Sequence, residues 1–152
     1  ELKETEGNTF WKVAREYKIL EKLTEYNKNI ALQGELVGDG INKNRDRYKG
    51  HRLKIFDIYN IDEKRFMTSE ERRTILEDLN KLDDVPLQHV PILEYRNLSN
   101  ITMDDILEMA EGVSVLSGLP REGLVFKSVN LINNQVLSFK SINNKYLLKH
   151  GD

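Results

Sequence analysis

The sequence predicts an α+β fold of mixed, largely antiparallel sheets with flanking helices. Segments of helical period and segments of alternating polarity intermingle without a regular strand–helix–strand order, which argues against a doubly wound parallel sheet. The last third closes on two β-rich runs joined by Asn133-Asn134, a pair suited to a tight hairpin turn. No repeat, low-complexity tract or linker divides the 152 residues, so a single domain over 1–152 is expected.

The elements follow in order. Residues 9–26 read as one amphipathic helix, because Phe10, Trp11, Val13, Ala14, Tyr17, Leu20 and Leu23 recur at helical spacing, with Asn8 or Thr9 as its cap. Residues 30–38 read as a mostly buried strand ending at Gly38. Asp39-Gly40 then opens a polar, basic loop through Asn44, Arg45 and Arg47. A β-branched and aromatic run predicts a strand over 52–61. Thr68-Ser-Glu-Glu71 is a capping box that starts a helix to about Leu82, a cap worth about 1 kcal/mol. Residues 87–94, flanked by Pro86 and interrupted by Pro91, suit a short edge strand. Thr102-Met-Asp-Asp105 starts a third helix to about Leu116, before Gly118 and Pro120 break it. Strands over 123–130 and 135–142 close the chain.

Composition narrows the function classes. Hydrophobic residues make up 39% and charged residues 32%, a globular balance. No apolar run approaches the roughly 20 residues a bilayer-spanning helix needs, so no membrane partner is expected. The absence of cysteine excludes a disulfide framework and a thiolate metal site, in keeping with an intracellular, cytoplasmic setting. A formal charge of −2 argues against wrapping nucleic acid by bulk charge, so any such binding must use a local basic surface. The opening at Glu1, not Met, inside a charged stretch reads as a fragment or trimmed product.

Several side chains stand out against this background. Glu35 lies in an apolar strand on the same face as Gln33. It is either a strand-edge carboxylate in water or an acceptor for a ligand hydroxyl. Phe56 and Asp57 sit mid-strand on opposite faces; Phe56 alone reads as core, whereas an ionised Asp57 needs a partner. Glu122 precedes the Gly-Leu-Val-Phe strand and Lys127 ends it, about 16 Å apart at ~3.3 Å per residue, so they cannot pair with each other. Taken singly, Glu122, Lys127 and Lys140 read as solvated strand ends. Together, the two lysines on successive hairpin strands can converge on one anion, each contact worth about 4 kcal/mol before desolvation at ~4 Å and an effective dielectric near 20. The basic cluster Lys43, Arg45, Arg47, Lys49, Arg52 and Lys54 reads as a solvated loop or a phosphate-backbone contact. His51, His89 and His150 lack metal-ligand spacing, and no Gly-rich phosphate loop is present.

Four segments occur in a telling order: Ala31-Leu-Gln-Gly-Glu-Leu-Val-Gly-Asp-Gly-Ile-Asn-Lys-Asn44, Leu53-Lys-Ile-Phe-Asp-Ile58, Glu122-Gly-Leu-Val-Phe-Lys127 and Ser138-Phe-Lys-Ser-Ile-Asn143. They resemble the later motifs of ATP-dependent RNA ligases, most of all the branch that seals nicks in duplex RNA and its bacterial relatives. The helix holding Phe10-Trp11-Lys-Val-Ala-Arg-Glu-Tyr17 is similar too, so the resemblance covers nearly the whole chain. It implies the C-terminal part of an adenylyltransferase domain, using ATP and Mg2+ or Mn2+. A lysine would attack the α-phosphate to give lysyl-AMP and pyrophosphate. AMP would then pass to an RNA 5′-phosphate, and a 3′-hydroxyl would displace it to seal a nicked duplex.

The resemblance also implies roles residue by residue. Glu35 matches the carboxylate that holds the ribose, Phe56 the aromatic that stacks on adenine, and Asp57 the acidic residue beside it. Glu122 matches the carboxylate tied to the metal and the chemical step. Lys127 closes that motif, and Lys140 matches a phosphate-contacting lysine. Two departures stand out. No Lys-x-Asp-Gly or Lys-x-x-Gly strand precedes Glu35, since Lys3-Glu-Thr-Glu-Gly7 has the wrong spacing, so the nucleophile is expected upstream of Glu1 and this chain alone inactive. Ile142 stands where the last motif often carries a second lysine. A DNA ligase, an RNA-capping guanylyltransferase and a non-catalytic α+β nucleic-acid-binding module stay open as alternatives.

Overall fold

The computed structural model describes residues 3–150; Glu1, where the chain opens, lies outside the described residues. The expected helix over 9–26 is two helices, α1 (Thr9–Glu16) and α2 (Ile19–Tyr26). Asn8 caps α1, its side-chain oxygen accepting from the Phe10 and Trp11 amides at 2.9 and 3.3 Å. The break falls at Lys18, which is left-handed at φ 51. That conformation costs a non-glycine residue about 1 kcal/mol. The bend is tied off by Lys22, whose buried ammonium donates to the Tyr17 carbonyl at 3.1 Å and to Asp83 at 2.6 Å.

Strands β1 (Ile30–Gly38) and β2 (His51–Asn60) pair antiparallel, close to the predicted bounds. Their register runs from Ile30 opposite Asn60 to Gly38 opposite His51, with a shift between Gln33 and Gly34 that leaves Phe56 without a partner. That bulge corrects the expectation that Phe56 and Asp57 simply alternate. It also lets Ile55 and Ile58, three positions apart, both enter the core. Two short strands share the far edge of β2: β3 (Arg65–Phe66) pairs antiparallel at Tyr59 and Asn60, and β4 (Gln88–His89) pairs parallel at Lys54 and Ile55. The expected edge strand over 87–94 thus shrinks to two residues, hemmed in by Pro86 and Pro91, which have no amide to donate. The helix after Thr68 is α3 (Ser69–Asn80), with its capping box formed. It packs Ile75, Leu76 and Leu79 onto Ile55, Ile58, Met67 and Leu87.

A second, two-stranded sheet pairs β5 (Gly123–Lys127) with β6 (Ser138–Ile142), Val125 opposite Lys140 and Lys127 opposite Ser138. Both strands are shorter than expected. Ser128 takes up the slack, its amide donating to the Leu137 carbonyl and its hydroxyl accepting from the Leu137 amide. Asn133 and Asn134 are both left-handed, φ 49 and 61, as a two-residue hairpin turn of type I′ requires. Helix α4 (Met103–Ala110) stops at Ala110, well short of Leu116. Its terminal carbonyls are taken by the Arg121 guanidinium, which donates to those of Met109, Ala110 and Glu111. A further helix, α5 (Asn144–His150), was not expected; the Asn143 side chain caps it by accepting from the Tyr146 amide. Among the described residues no helix is long and apolar enough to cross a membrane.

Candidate functional site

A cleft of about 440 Å³ opens between β1, the loop after it and the start of β5. The loop is built to fold back. Gly38 has φ 130, and a Cβ there would sit 1.9 Å from the Gly50 carbonyl oxygen, so only glycine permits the return. Asp39 accepts from the Gly50 amide at 2.8 Å and from the Asn44 amide group at 3.1 Å, while Asn44 also donates to the Tyr48 carbonyl at 2.7 Å. This frame presents Asn42, Asn44 and Arg45 to the cleft, facing Glu35 on β1 and Glu122 before β5. Glu35 is exposed, so its carboxylate carries no burial cost.

Glu122 is held by two cations. Lys140 Nζ lies 2.5 Å from one carboxylate oxygen and Arg45 3.6 Å from the other, all three side chains about half exposed. Ion pairs this open are worth under about 1 kcal/mol and rearrange readily. The Arg45 guanidinium also lies over the Tyr146 ring, 4.9 Å from its centroid.

A second cluster forms where β5 meets β2. Lys127 Nζ is 2.7 Å from Asp57 and donates to the Phe56 carbonyl at 2.8 Å, with the Phe56 ring centroid 6.0 Å away. Burial pulls the Lys127 amine below the usual lysine range, although Asp57 opposes this. Asp57 is also 3.8 Å from Arg72, a buried guanidinium on α3. The two lysines do share a face of the hairpin, since Val125 faces Lys140 and Lys127 faces Ser138. They do not meet on one anion: each holds its own carboxylate.

The structure therefore brings Glu35 and Glu122 to one cleft, with Lys140 paired to Glu122, and gathers Phe56, Asp57 and Lys127 at the seam between the sheets. Three residues were undervalued from sequence. Arg45 was visible only as part of a basic loop. Arg72 sat unmarked in a helix, and His89 drew attention only for its lack of metal-ligand spacing. Composition offers no signal for the last two, because their partners lie on other elements. A larger hollow, about 820 Å³ between α2 and α3, is lined by Asp62, Glu63, Glu70 and Asp78 and holds none of the candidate residues.

Comparison with known proteins gives a consistent result. The family model described as RNA ligase matches residues 1–142. Among solved structures, a Naegleria gruberi RNA ligase with PPi is 43% identical at a TM-score of 0.88, covering 99% of this chain and 43% of that one. A variant of that ligase with ATP and Mn is 43% identical at 0.89, with the same coverage. Another with AMP and Mn is 43% identical at 0.90, covering 100% of this chain and 44% of that one. The chain thus spans less than half the length of these solved relatives. No curated protein matches it.

Proposed function

Since the chain belongs to the RNA ligase family, we propose that it is part of the adenylyltransferase domain of an ATP-dependent RNA ligase, residues 1–152 forming one partial domain. The parent enzyme joins RNA 5′-phosphate and 3′-hydroxyl ends, as in a nicked duplex, through lysyl-AMP and adenylated RNA. The attacking lysine belongs to a segment outside this chain. The observation that carries the reading is the meeting of Glu35, Glu122 and Arg45 in one cleft, with Lys140 paired to Glu122.

Each side chain suits its part. Glu35 accepts from the ribose hydroxyls. Phe56, 37% exposed on a bulge, offers a face for adenine to stack on. Lys140 turns from Glu122 to the α-phosphate, where an ammonium binds as a point charge. Its charge, with that of Arg45, stabilises the negative charge growing on the phosphoryl oxygens. Lys127 stays with Asp57 and holds the Phe56 backbone.

Two of the solved relatives carry ATP and Mn and AMP and Mn, respectively. Among the described residues no three His, Asp or Glu side chains gather as a ready-made metal centre. The donors present fit a hard cation held by one carboxylate, Glu122, with nucleotide oxygens completing its shell, which is how Mg2+ is commonly bound. Such an ion supplies charge neutralisation at the phosphates when bound.

Labelled ATP with Mg2+ tests this reading. The present chain is expected to take up no covalent label, and a longer protein that includes the upstream lysine strand to take it up. Label on the present chain would overturn the assignment of the nucleophile, and no label on the longer protein would overturn the ligase reading.

A further inference from the structure

The Lys127–Asp57 contact does not stand alone. Behind it runs a line of buried and half-buried polar groups that the proposed chemistry does not use. Arg72, 3% exposed, donates from Nη1 to the Met67 carbonyl at 2.9 Å and lies 3.8 Å from Asp57. Its Nε is 3.1 Å from His89 Nε2, and His89 Nδ1 is 2.6 Å from the Val90 carbonyl oxygen. A carbonyl only accepts and a guanidinium only donates, so Nδ1 carries the hydrogen and Nε2 is the acceptor. The imidazole is therefore neutral, in one tautomer. The line continues from Arg72 through Asp57 to Lys127, and ends on the Phe56 carbonyl. It crosses β4, α3, β2 and β5, and so links the two sheets.

We propose that His89 and Arg72 are positioning residues for the nucleotide pocket: neutral His89 orients Arg72, which orients Asp57, which holds Lys127 against the Phe56 backbone. This rests on the nucleotide reading of Phe56 given above. The arrangement has a built-in dependence on pH. Protonated His89 would aim an N–H at the Arg72 N–H, and the acceptor would be lost. The charged groups facing the imidazole are Arg72 on α3, Lys127 on β5 and Asp57 on β2. Burial above all, and then the two cations, favour the neutral ring, while the bond to the Val90 carbonyl and Asp57 oppose them, so the ring titrates below the usual histidine range. Tyr95, tied to Ser69 at 2.6 Å, flanks Arg72.

The test compares the parent chain with His89→Gln, which keeps one donor and one acceptor and does not titrate, and with Arg72→Gln. ATP affinity is measured by calorimetry from pH 7.5 to 5, and the difference between parent and His89→Gln cancels the titration of ATP itself. The parent is expected to weaken more than His89→Gln as pH falls, by up to about fivefold once the ring is fully protonated, the factor one net hydrogen bond is worth. In parallel, acetylation of Lys127 is followed by mass spectrometry with no nucleotide present. Arg72→Gln is expected to change the acetylation rate there several-fold, while Lys140 keeps its rate. If parent and His89→Gln share one pH profile, or if the Lys127 rate is unmoved in folded Arg72→Gln, the positioning role is overturned. If ATP binds to neither protein while Lys127 does respond, the relay stands and the nucleotide reading falls.

Discussion

Replacing Phe56 with alanine removes the one aromatic face that the bulge in β2 presents beside Lys127 and Asp57. Stacking of a base on an aromatic ring is worth roughly 1–3 kcal/mol by alanine substitution. At 1.4 kcal/mol per tenfold, ATP affinity is expected to fall by about 5- to 150-fold. Folding should suffer less. The ring is already 37% exposed, so its truncation is expected to cost about 1–2 kcal/mol instead of the 3–5 of a core phenylalanine. The assay is a calorimetric titration with ATP, paired with thermal unfolding of the same samples. Phe56→Tyr retains the face and should bind within a few-fold of the parent, whereas Phe56→Leu keeps bulk without the face and should resemble alanine. A folded Phe56→Ala protein that binds ATP as well as the parent, or equal binding by the leucine and tyrosine variants, would refute the stacking argument.

Two further outcomes test the scaffold. Glu71 meets the buried Arg65 guanidinium through two parallel bonds of 2.8 and 2.9 Å, and that guanidinium holds its carboxyl below the ordinary glutamate range. The folded value being the lower one, this contribution is complete above the unfolded pKa of about 4.3 and is lost as pH falls through the folded value. In thermal unfolding Glu71→Gln should therefore lie below the parent at pH 7, and the gap should narrow by pH 3; a gap of constant size would contradict the pairing. Gly123 lies so near its neighbour strand that a Cβ would come 2.2 Å from the Ser141 carbonyl oxygen. Gly123→Ala should cost about 1–3 kcal/mol through forced backbone movement, and speed hydrogen exchange at the Asn143 amide, which donates to the Glu122 carbonyl. Unchanged exchange there would contradict it.

Local pattern revealed what local physics determines. β2 was readable from its β-branched and aromatic content, and α3 because its capping box is written into four consecutive residues. β1 was readable from its apolar run ending at Gly38, although Gln33, Gly34 and Glu35 prove exposed where a mostly buried strand was expected. The failures are tertiary. Lys18 carries no glycine or proline signal; α1 and α2 separate there because Lys22 turns inward to Asp83, far along the chain. Helix α4 ends early because Arg121 seizes its carbonyls, an event invisible in the apolar periodicity of 103–116. The pairing of Asn143 with α5 did have a sequence signal, an asparagine before Tyr146-Leu-Leu, hidden by the expectation of a strand end. Site roles for Glu35, Phe56, Asp57, Glu122, Lys127 and Lys140 came from motif order and not from physics. Spacing alone left Phe56 a core residue, and alternation could not foresee the bulge that exposes it.

The grip of Arg121 on α4 has a mechanical corollary for its neighbour Glu122. The guanidinium spans the base of the loop over 113–119, and the bridge between Val113 and Pro120 closes the same base. The carboxylate is thus anchored to the helix end by a shortcut that bypasses the loop's tip. Insertions or deletions among Val115, Leu116 and Ser117 can then reshape the rim of the cleft while its acid stays in place, whereas losing the guanidinium would leave the backbone bridge alone to couple the two.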